Sequence, residues 1–379
     1  MKRKNKKTKS VGNGEGSLYY SETLKCWIYQ YVYNNKRKTM KQKKNESVRD
    51  FKARVTKIKN EKNEGTYIEK SKDIFIEITK KHVEQKHNDN ITSDSSYIRD
   101  LDTINQIEKT CNNFANKPIQ KITAKDIKIF LNDNINYSDS TLKKIYQLLG
   151  QTFKRAIERN YILKNPITYE EARKPKSSQK QSKIEALSID EEKKLISALS
   201  NEMSLYKSII LLMLFSGMRV GEVLALKWSN ITDDYIDVKQ SLTKDENGQV
   251  IIGNETKTEN SIRQIPLNNI LNEIIVAIPK SNNSEFVFPN ITPRMVHSFL
   301  TRFNATNCIK SNIHPHMLRH TYATRCIEAG MNIKVLQKRL GHKNIQTTLD
   351  TYASVFDKFE GQEDDKVLNY FEENKIGMH

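Results

Sequence analysis

Hydrophobic and polar positions change period twice along this chain. Near the start, aromatic and β-branched residues cluster in short runs. Gly16-Ser17-Leu18-Tyr19-Tyr20, Cys26-Trp27-Ile28-Tyr29-Gln30-Tyr31-Val32-Tyr33 and Lys38-Thr39-Met40 read as strands, with Asn34-Asn35 as a turn. Ser47-Val48-Arg49-Asp50-Phe51 then opens a helix, with Ser47 at the N-cap and Asp50 three residues on. Residues 16–66 therefore predict a small β-rich domain. From 67 to 170 the period becomes helical: Ile74, Phe75, Ile78 and Val83, then Ile98, Leu101, Ile104 and Ile107, then Ile127, Phe130 and Leu131. The clearest stretch is Leu142, Ile145, Leu148, Leu149, Phe153, Ala156 and Ile157. Thr123 with Asp126 marks one helix start, and Lys164-Asn165-Pro166 ends the last helix. Four or five helices in one bundle are expected.

Residues 171–184 are basic, Ser-rich and without apolar periodicity, so they read as a linker. Residues 185–356 predict a mixed, mostly helical domain. It opens on the capping-box pair Ser188 and Glu191. Helical patterns follow through Leu195–Leu199 and Ile209–Phe215. Tyr235 to Leu242, Gln249 to Ile252 and Ser261 to Pro266 alternate like strands of one small antiparallel sheet, with Asn247-Gly248 as its first turn. Helices return after Thr292. In the tail, residues 357–379, the run Glu363–Phe371 suits a short amphipathic helix. The fold class expected is multidomain and mainly α.

Charge narrows the partner. The formal net charge is +18, and residues 1–64 carry 19 Lys and Arg against 6 Asp and Glu, a surplus of 13. Such asymmetry points to a polyanion, and DNA suits it better than a membrane because the basic run has no apolar face. Residues 1–15 read as a disordered basic tail. No apolar run approaches the ~20 residues of a membrane helix. No apolar segment follows the basic start, so it does not read as a signal peptide and a cytoplasmic protein is expected. Cys26, Cys111, Cys308 and Cys326 are far apart, with no CxxC pair and no zinc spacing.

The chemistry lies in three boxes: Gly217-Met218-Arg219-Val220-Gly221-Glu222, His316-Met317-Leu318-Arg319-His320-Thr321-Tyr322-Ala323-Thr324, and Leu340-Gly341-His342 running on to Leu349-Asp350-Thr351-Tyr352. A phenol, two arginines and two histidines are the parts needed to attack a phosphodiester without a metal. Together they resemble the tyrosine recombinases, also called phage-type integrases. Such chemistry needs an exposed nucleophile, cations on the equatorial oxygens, a partner for the phenolic proton and an acid for the leaving 5′-oxygen. The resemblance implies Tyr352 as nucleophile, Arg219 and Arg319 as phosphate clamps, and His316 and His342 as hydrogen-bonding groups. Glu222, three residues beyond Arg219, would orient its guanidinium; a surface Arg–Glu pair has the same spacing. Lys257 precedes a Ser-x-Arg-x-x-Pro pattern, Ser261 to Pro266, and resembles the hairpin lysine that serves as general acid. His320 reads as structural and His314 as a loop residue. Zinc on His314, His316 and His342 would lack a fourth ligand, so no metal is assigned.

The resemblance also implies an arm-type DNA-binding domain at 16–66, a core-binding domain at 67–170 and a catalytic domain at 185–356. It is greatest to integrases of Gram-positive conjugative transposons. Implied partners are double-stranded DNA at core and arm sites, three further copies of the chain, an excisionase and a host DNA-bending protein, with no cofactor. The C-terminal tail would dock on a neighbouring subunit. Lys36, Arg37, Lys38, Lys143, Lys144, Lys154 and Lys176 are the candidate DNA contacts, and Ser138, Ser140 and Thr141 could also face the backbone. The rivals are a prophage integrase of the same mechanism, a DNA-binding protein on this scaffold without catalysis, a type IB topoisomerase and a metal-dependent nuclease.

Overall fold

The computed structural model describes residues 16–33, 35–179, 185–253, 262–280, 284–310, 313–356 and 369–373. The chain divides into two compact units, Met1–Val83 with Thr103–Gln179, and Glu84–Asp102 with Lys180–His379.

The first unit begins with β1 (Ser17–Ser21), β2 (Cys26–Tyr33) and β3 (Lys36–Lys41), an antiparallel sheet in chain order. Tyr29 and Tyr31 on β2 pack against Phe51 and Val55 of α1 (Val48–Asn63) to make a core of their own. Ser47 Oγ accepts from the Asp50 N–H at 3.1 Å, the cap that the spacing predicts. Cross-strand partners share a face, so Lys38, opposite Tyr31, lies on the α1 side, and Arg37, opposite Val32, lies on the open side.

Five helices follow: α2 (Phe75–Asn88), α3 (Asp94–Thr110), α4 (Asn112–Ala115), α5 (Ala124–Asp133) and α6 (Asp139–Glu158). The end of α2 and the start of α3 belong to the second unit. On α6, Leu142, Ile145, Leu148, Leu149, Phe153 and Ala156 are buried, the helical stripe read from the sequence. Phe114 stacks on Phe130 at 4.6 Å between centroids and meets Phe75 at 5.2 Å. Thr123 and Asp126 form a reciprocal capping box.

The linker expected at 171–184 is not free over its first part. Ala172 is fully buried, Lys174 pairs with Asp139, and the Ser178 N–H reaches the Ile135 carbonyl at 3.0 Å. Polar, aperiodic composition is the same whether side chains are solvated or bonded to a neighbouring loop. Residues 180–184 lie outside the described residues.

In the second unit α7 (Ile189–Ser200) starts on the Ser188–Glu191 capping box. Then come α8 (Leu205–Ser216), α9 (Val220–Leu224), β4 (Tyr235–Val238), β5 (Ser241–Lys244), β6 (Val250–Gly253), β7 (Arg263–Pro266), α10 (Asn269–Val276), α11 (Pro293–Asn307), α12 (Pro315–Glu328), α13 (Ile333–Leu340) and α14 (Ile345–Phe356). The strands pair as two ladders, β4 with β7 and β5 with β6, where one sheet was expected. The hairpin turn at Gly248, φ +78°, joins β5 only to β6, and β7 returns to β4.

Apolar on most of its surface, α8 runs through the main core, with Leu271 of α10, Val296 of α11 and Leu318 of α12 around it. A second cluster joins Tyr322, Ala323 and Cys326 of α12 to Leu336 and Leu340 of α13 and Tyr352 of α14. Helix α12 thus lies between two cores, and this fixes the orientation of its polar residues. Residues 357–368 of the tail lie outside the described residues; 369–373 are helical.

Candidate active site

Gly217 ends α8 in the left-handed region at φ +69°, where a Cβ would overlap the Tyr322 ring. The sharp turn makes Arg219 the N-cap of α9 and puts Glu222 on the first turn. Glu222 is buried and accepts from the Arg219 N–H at 2.7 Å and from Arg219 Nη1 at 2.8 Å. Its other partner is Arg263 of β7, with Nη1 at 3.1 Å and Nη2 at 2.7 Å. Burial alone would raise this carboxyl; the Arg263 bonds and the charges of Arg263 and Arg219 instead hold it at about 2. Glu222 is thus a fixed anion between two guanidinium groups. Arg219 remains partly exposed, its side chain at 40%, with donors to spare.

Arg319 is almost completely buried, at 2%. Its Nη1 donates to the Gly217 carbonyl at 2.7 Å, and its Nη2 donates to the Leu340 carbonyl. Arg263 Nε donates to the Arg339 carbonyl at 2.6 Å. Two buried guanidinium groups therefore satisfy the last carbonyls of α13, just before Gly341 turns the backbone at φ +63°. The turn delivers His342, whose Nδ1 lies 2.8 Å from Thr348 Oγ1. Burial first, then the charges of Arg319, Arg219 and Arg263, push the His342 imidazole down to about 4, so it is neutral at pH 7.

His314 caps α12, its Nδ1 accepting from the Met317 N–H at 3.3 Å, where a plain loop residue was expected. His316, two residues on, is exposed. Its ring stands edge-on to that of His320, centroids 4.7 Å apart. His320 Nδ1 is 3.0 Å from the hydroxyl of Tyr352. The sequence alone reads His320 as structural, on a different face from Arg319, and does not foresee its contact with Tyr352. Positions 316 and 320 are one helical turn apart and share a face, as the i,i+4 rule gives, whereas the contact with Tyr352 spans 32 positions and has no local signal. Burial, then His316 and Arg319, depress the His320 imidazole to about 4. Tyr352 is 3% exposed, and burial pushes its phenol up to about 12 against the pull of Arg319.

Two clefts meet at Arg219. One, of about 560 Å³, is lined by Arg219, Gly221, Ser241, His316 and Arg319 among others. The other, of about 660 Å³, is lined by Arg219, Gly341, His342, Lys343 and Asn344. Arg219, His316, Arg319 and His342 are therefore gathered, and Tyr352 reaches them through His320 while lining neither cleft. Lys257 lies outside the described residues. Sequence reasoning missed Arg263 as a site residue: its Ser-x-Arg-x-x-Pro context marked it, but its bond to Glu222 spans 41 positions.

The candidate DNA contacts are spread over the first unit. Lys36, Arg37, Lys143, Lys144, Lys154 and Lys176 are exposed. Lys38 is not free: its Nζ is 2.6 Å from Glu69 Oε1. Ser138 Oγ caps α6, accepting from the Thr141 N–H at 3.3 Å.

Residues 185–358 match the model of the phage integrase family. The chain is 29% identical over 252 residues to a XerC-like tyrosine recombinase of Caldanaerobacter subterraneus, covering 58% of this chain but only 64% of that relative. It is 26% identical to the ICEBs1 integrase of Bacillus subtilis, covering 67% of this chain and 73% of the relative. A tyrosine recombinase of Thermosipho africanus is 31% identical over 65% of this chain and 84% of its own length. In fold the chain is similar to the Tn1549 transposon integrase solved with a circular intermediate DNA (TM-score 0.63, 20% identity, 74% of this chain and 94% of that one). It is also similar to a lambda integrase dimer bound to a core site (TM-score 0.56, 18% identity, 91% and 96%).

Proposed function

The chain belongs to the phage integrase family of tyrosine recombinases, and from this we propose that it integrates and excises a mobile element by site-specific DNA strand transfer. The observation that carries the reading is the convergence of Arg219, His316 and Arg319, from two distant sequence boxes, on one cleft, with His342 on the adjoining one. A phosphodiester seated there would have its non-bridging oxygens neutralised by two guanidinium groups whose positions are set before it arrives. Arg319 is held by two backbone carbonyls, and Arg219 by Glu222. A site so fixed pays little reorganisation cost as charge builds on phosphorus.

Tyr352 Oη attacks phosphorus, and the bond to the 5′-oxygen breaks. The 5′-oxygen leaves as a hydroxyl, taking a proton from a general acid; the sequence pattern around Lys257 supports that lysine in the role. The product is a 3′-phosphotyrosyl bond. Because the ester energy is kept in that bond, a foreign 5′-hydroxyl can reverse the step without ATP or a metal. His316, its imidazole pKa lowered by burial and the Arg319 charge, and His342, neutral at pH 7, serve as hydrogen-bond donors to the phosphate. Similarity to the ICEBs1 integrase, and to transposase A of transposon Tn554 from Staphylococcus aureus (27% identical over 52% of this chain and 56% of that protein), supports a transposon-type mobile element over a prophage. Two copies would pair on each core site and four in the strand-exchange complex, the tail beyond residue 356 linking neighbours. An excisionase and a host DNA-bending protein would set direction, and residues 16–66 would hold the arm sites.

The test is covalent trapping of the full chain on a nicked duplex carrying the element's own end sequence. Wild type is expected to form a protein–DNA adduct in EDTA, and Tyr352→Phe none. No adduct from wild type on that end would overturn the catalytic reading in favour of DNA binding alone. Relaxation of a plasmid without element ends would favour a topoisomerase.

A further inference from the structure

We propose that His320 is a further catalytic residue, taking the phenolic proton of Tyr352 onto its Nδ1 as Oη bonds to phosphorus. The inference rests on the recombinase reading of the same site. The geometry is direct: Nδ1 and Oη are 3.0 Å apart in the protein interior, within the range for proton transfer. Among the described residues His320 Nδ1 is the hydrogen-bond partner of the Tyr352 hydroxyl. His320 Nε2 is buried and finds no partner among the described residues. A buried imidazole with one nitrogen unsatisfied is a poor structural element, because the orphaned group loses its solvation without return. Tyr352 alone would need only a packing neighbour there.

The neighbouring residues on α12 suit the role. Arg319 and His320 are consecutive on α12, and the Arg319 charge acts on the Tyr352 phenol. His316, which lines the cleft, stands edge-on to His320. Burial and the charges of His316 and Arg319 keep the imidazole unprotonated, and in its Nε2–H tautomer Nδ1 accepts from the phenol. A weak base is sufficient. As the O–P bond forms, the phenol oxygen becomes an ester oxygen, and its proton becomes strongly acidic. The balance is complete: O–H breaks, Nδ1–H forms, O–P forms, P–O5′ breaks, and a separate acid protonates O5′. On religation the same proton returns from Nδ1 to the leaving phenol.

The test compares wild type with His320→Asn on two nicked duplexes of the element's end. One has the ordinary 5′-oxygen; the other has a bridging 5′-sulfur at the scissile position. Asparagine places an acceptor oxygen near Nδ1 but cannot carry a proton. Expected are unchanged DNA affinity and an adduct-formation rate lower by about 100-fold or more, with both leaving groups. Sulfur leaves without a proton, so a residue serving the leaving group would be rescued by it. A wild-type or faster rate in His320→Asn, or a defect that the sulfur substrate removes, would overturn the proposal. If His320→Asn does not fold, His320→Gly with added imidazole replaces it: restored adduct supports the role, and no restoration in a folded variant refutes it. Failure of wild type to form any adduct would instead sink the recombinase reading.

Discussion

At the scale of single residues, Glu222 governs the site because it is buried and shared by Arg219 and Arg263, and the two arginines stand in different energetic positions. Arg263 is buried, so Arg263→Ala leaves part of a buried carboxylate unpaired. It should cost about 3–5 kcal/mol in urea unfolding, the usual penalty for breaking a buried pair. Arg219 is partly exposed and Glu222 keeps Arg263 without it. Arg219→Ala should therefore change stability by no more than about 1 kcal/mol while abolishing adduct formation. The pair also has a pH signature. The folded Glu222 carboxyl is held at about 2, below its unfolded value, so its stabilisation is present above the unfolded pKa and is lost as pH falls through about 2. An acid titration of Tm should show that loss in wild type and not in Glu222→Gln. The sequence made Arg219, Glu222, His316 and Arg319 legible because each pair lies within one helical turn. Arg263 was beyond it, since the meeting of β7 and α9 is a long-range contact with no local period.

At the scale of elements, the C-terminal end of α13 matters most, because Arg263 and Arg319 both bond to its last carbonyls and His342 follows directly. Gly341 makes that turn possible at φ +63°, and a Cβ there would lie 3.1 Å from Arg263 Nη1. Gly341→Ala should therefore cost about 1–2 kcal/mol from the left-handed backbone alone. It should also lower the adduct-formation rate by displacing His342; an unchanged rate with lowered Tm would show that the turn serves only the fold. Helices with strong local signals were readable in advance: the α6 stripe and the caps at Ser47, Thr123 and Ser188 all appear where the sequence places them. Strand pairing was not. Alternation marks strands from Tyr235, Gln249 and Ser261, but it carries no information on which strand takes which partner. The two ladders are chosen by the tight Gly248 turn and by the burial of Ile236 and Ile265 in the main core.

At the scale of the whole molecule, charge decides what the chain can hold. Most of the formal surplus falls in residues 1–64, and the β1–β3 module has a small core of its own around Tyr29, Tyr31, Phe51 and Val55. If that module binds DNA separately from the catalytic unit, its contribution is separable in salt. Each phosphate neutralised on duplex DNA steepens the log–log dependence of affinity on salt by about 0.9. Removing residues 1–66 should therefore abolish arm-site binding, leave core-site affinity within a few-fold, and flatten the salt slope only on duplexes that carry an arm site. The register refines this to side chains. Arg37 is exposed on the open face of the sheet, whereas Lys38 is tied to Glu69 on the α1 side. Arg37→Ala should reduce the arm-site slope by about 1, and Lys38→Ala should leave it unchanged. Fluorescence anisotropy over a salt series, on arm and core duplexes in parallel, measures both. Equal loss from the two variants would mean that the face a charge occupies does not matter, and the basic surplus would then act as a diffuse field and not as a docked module.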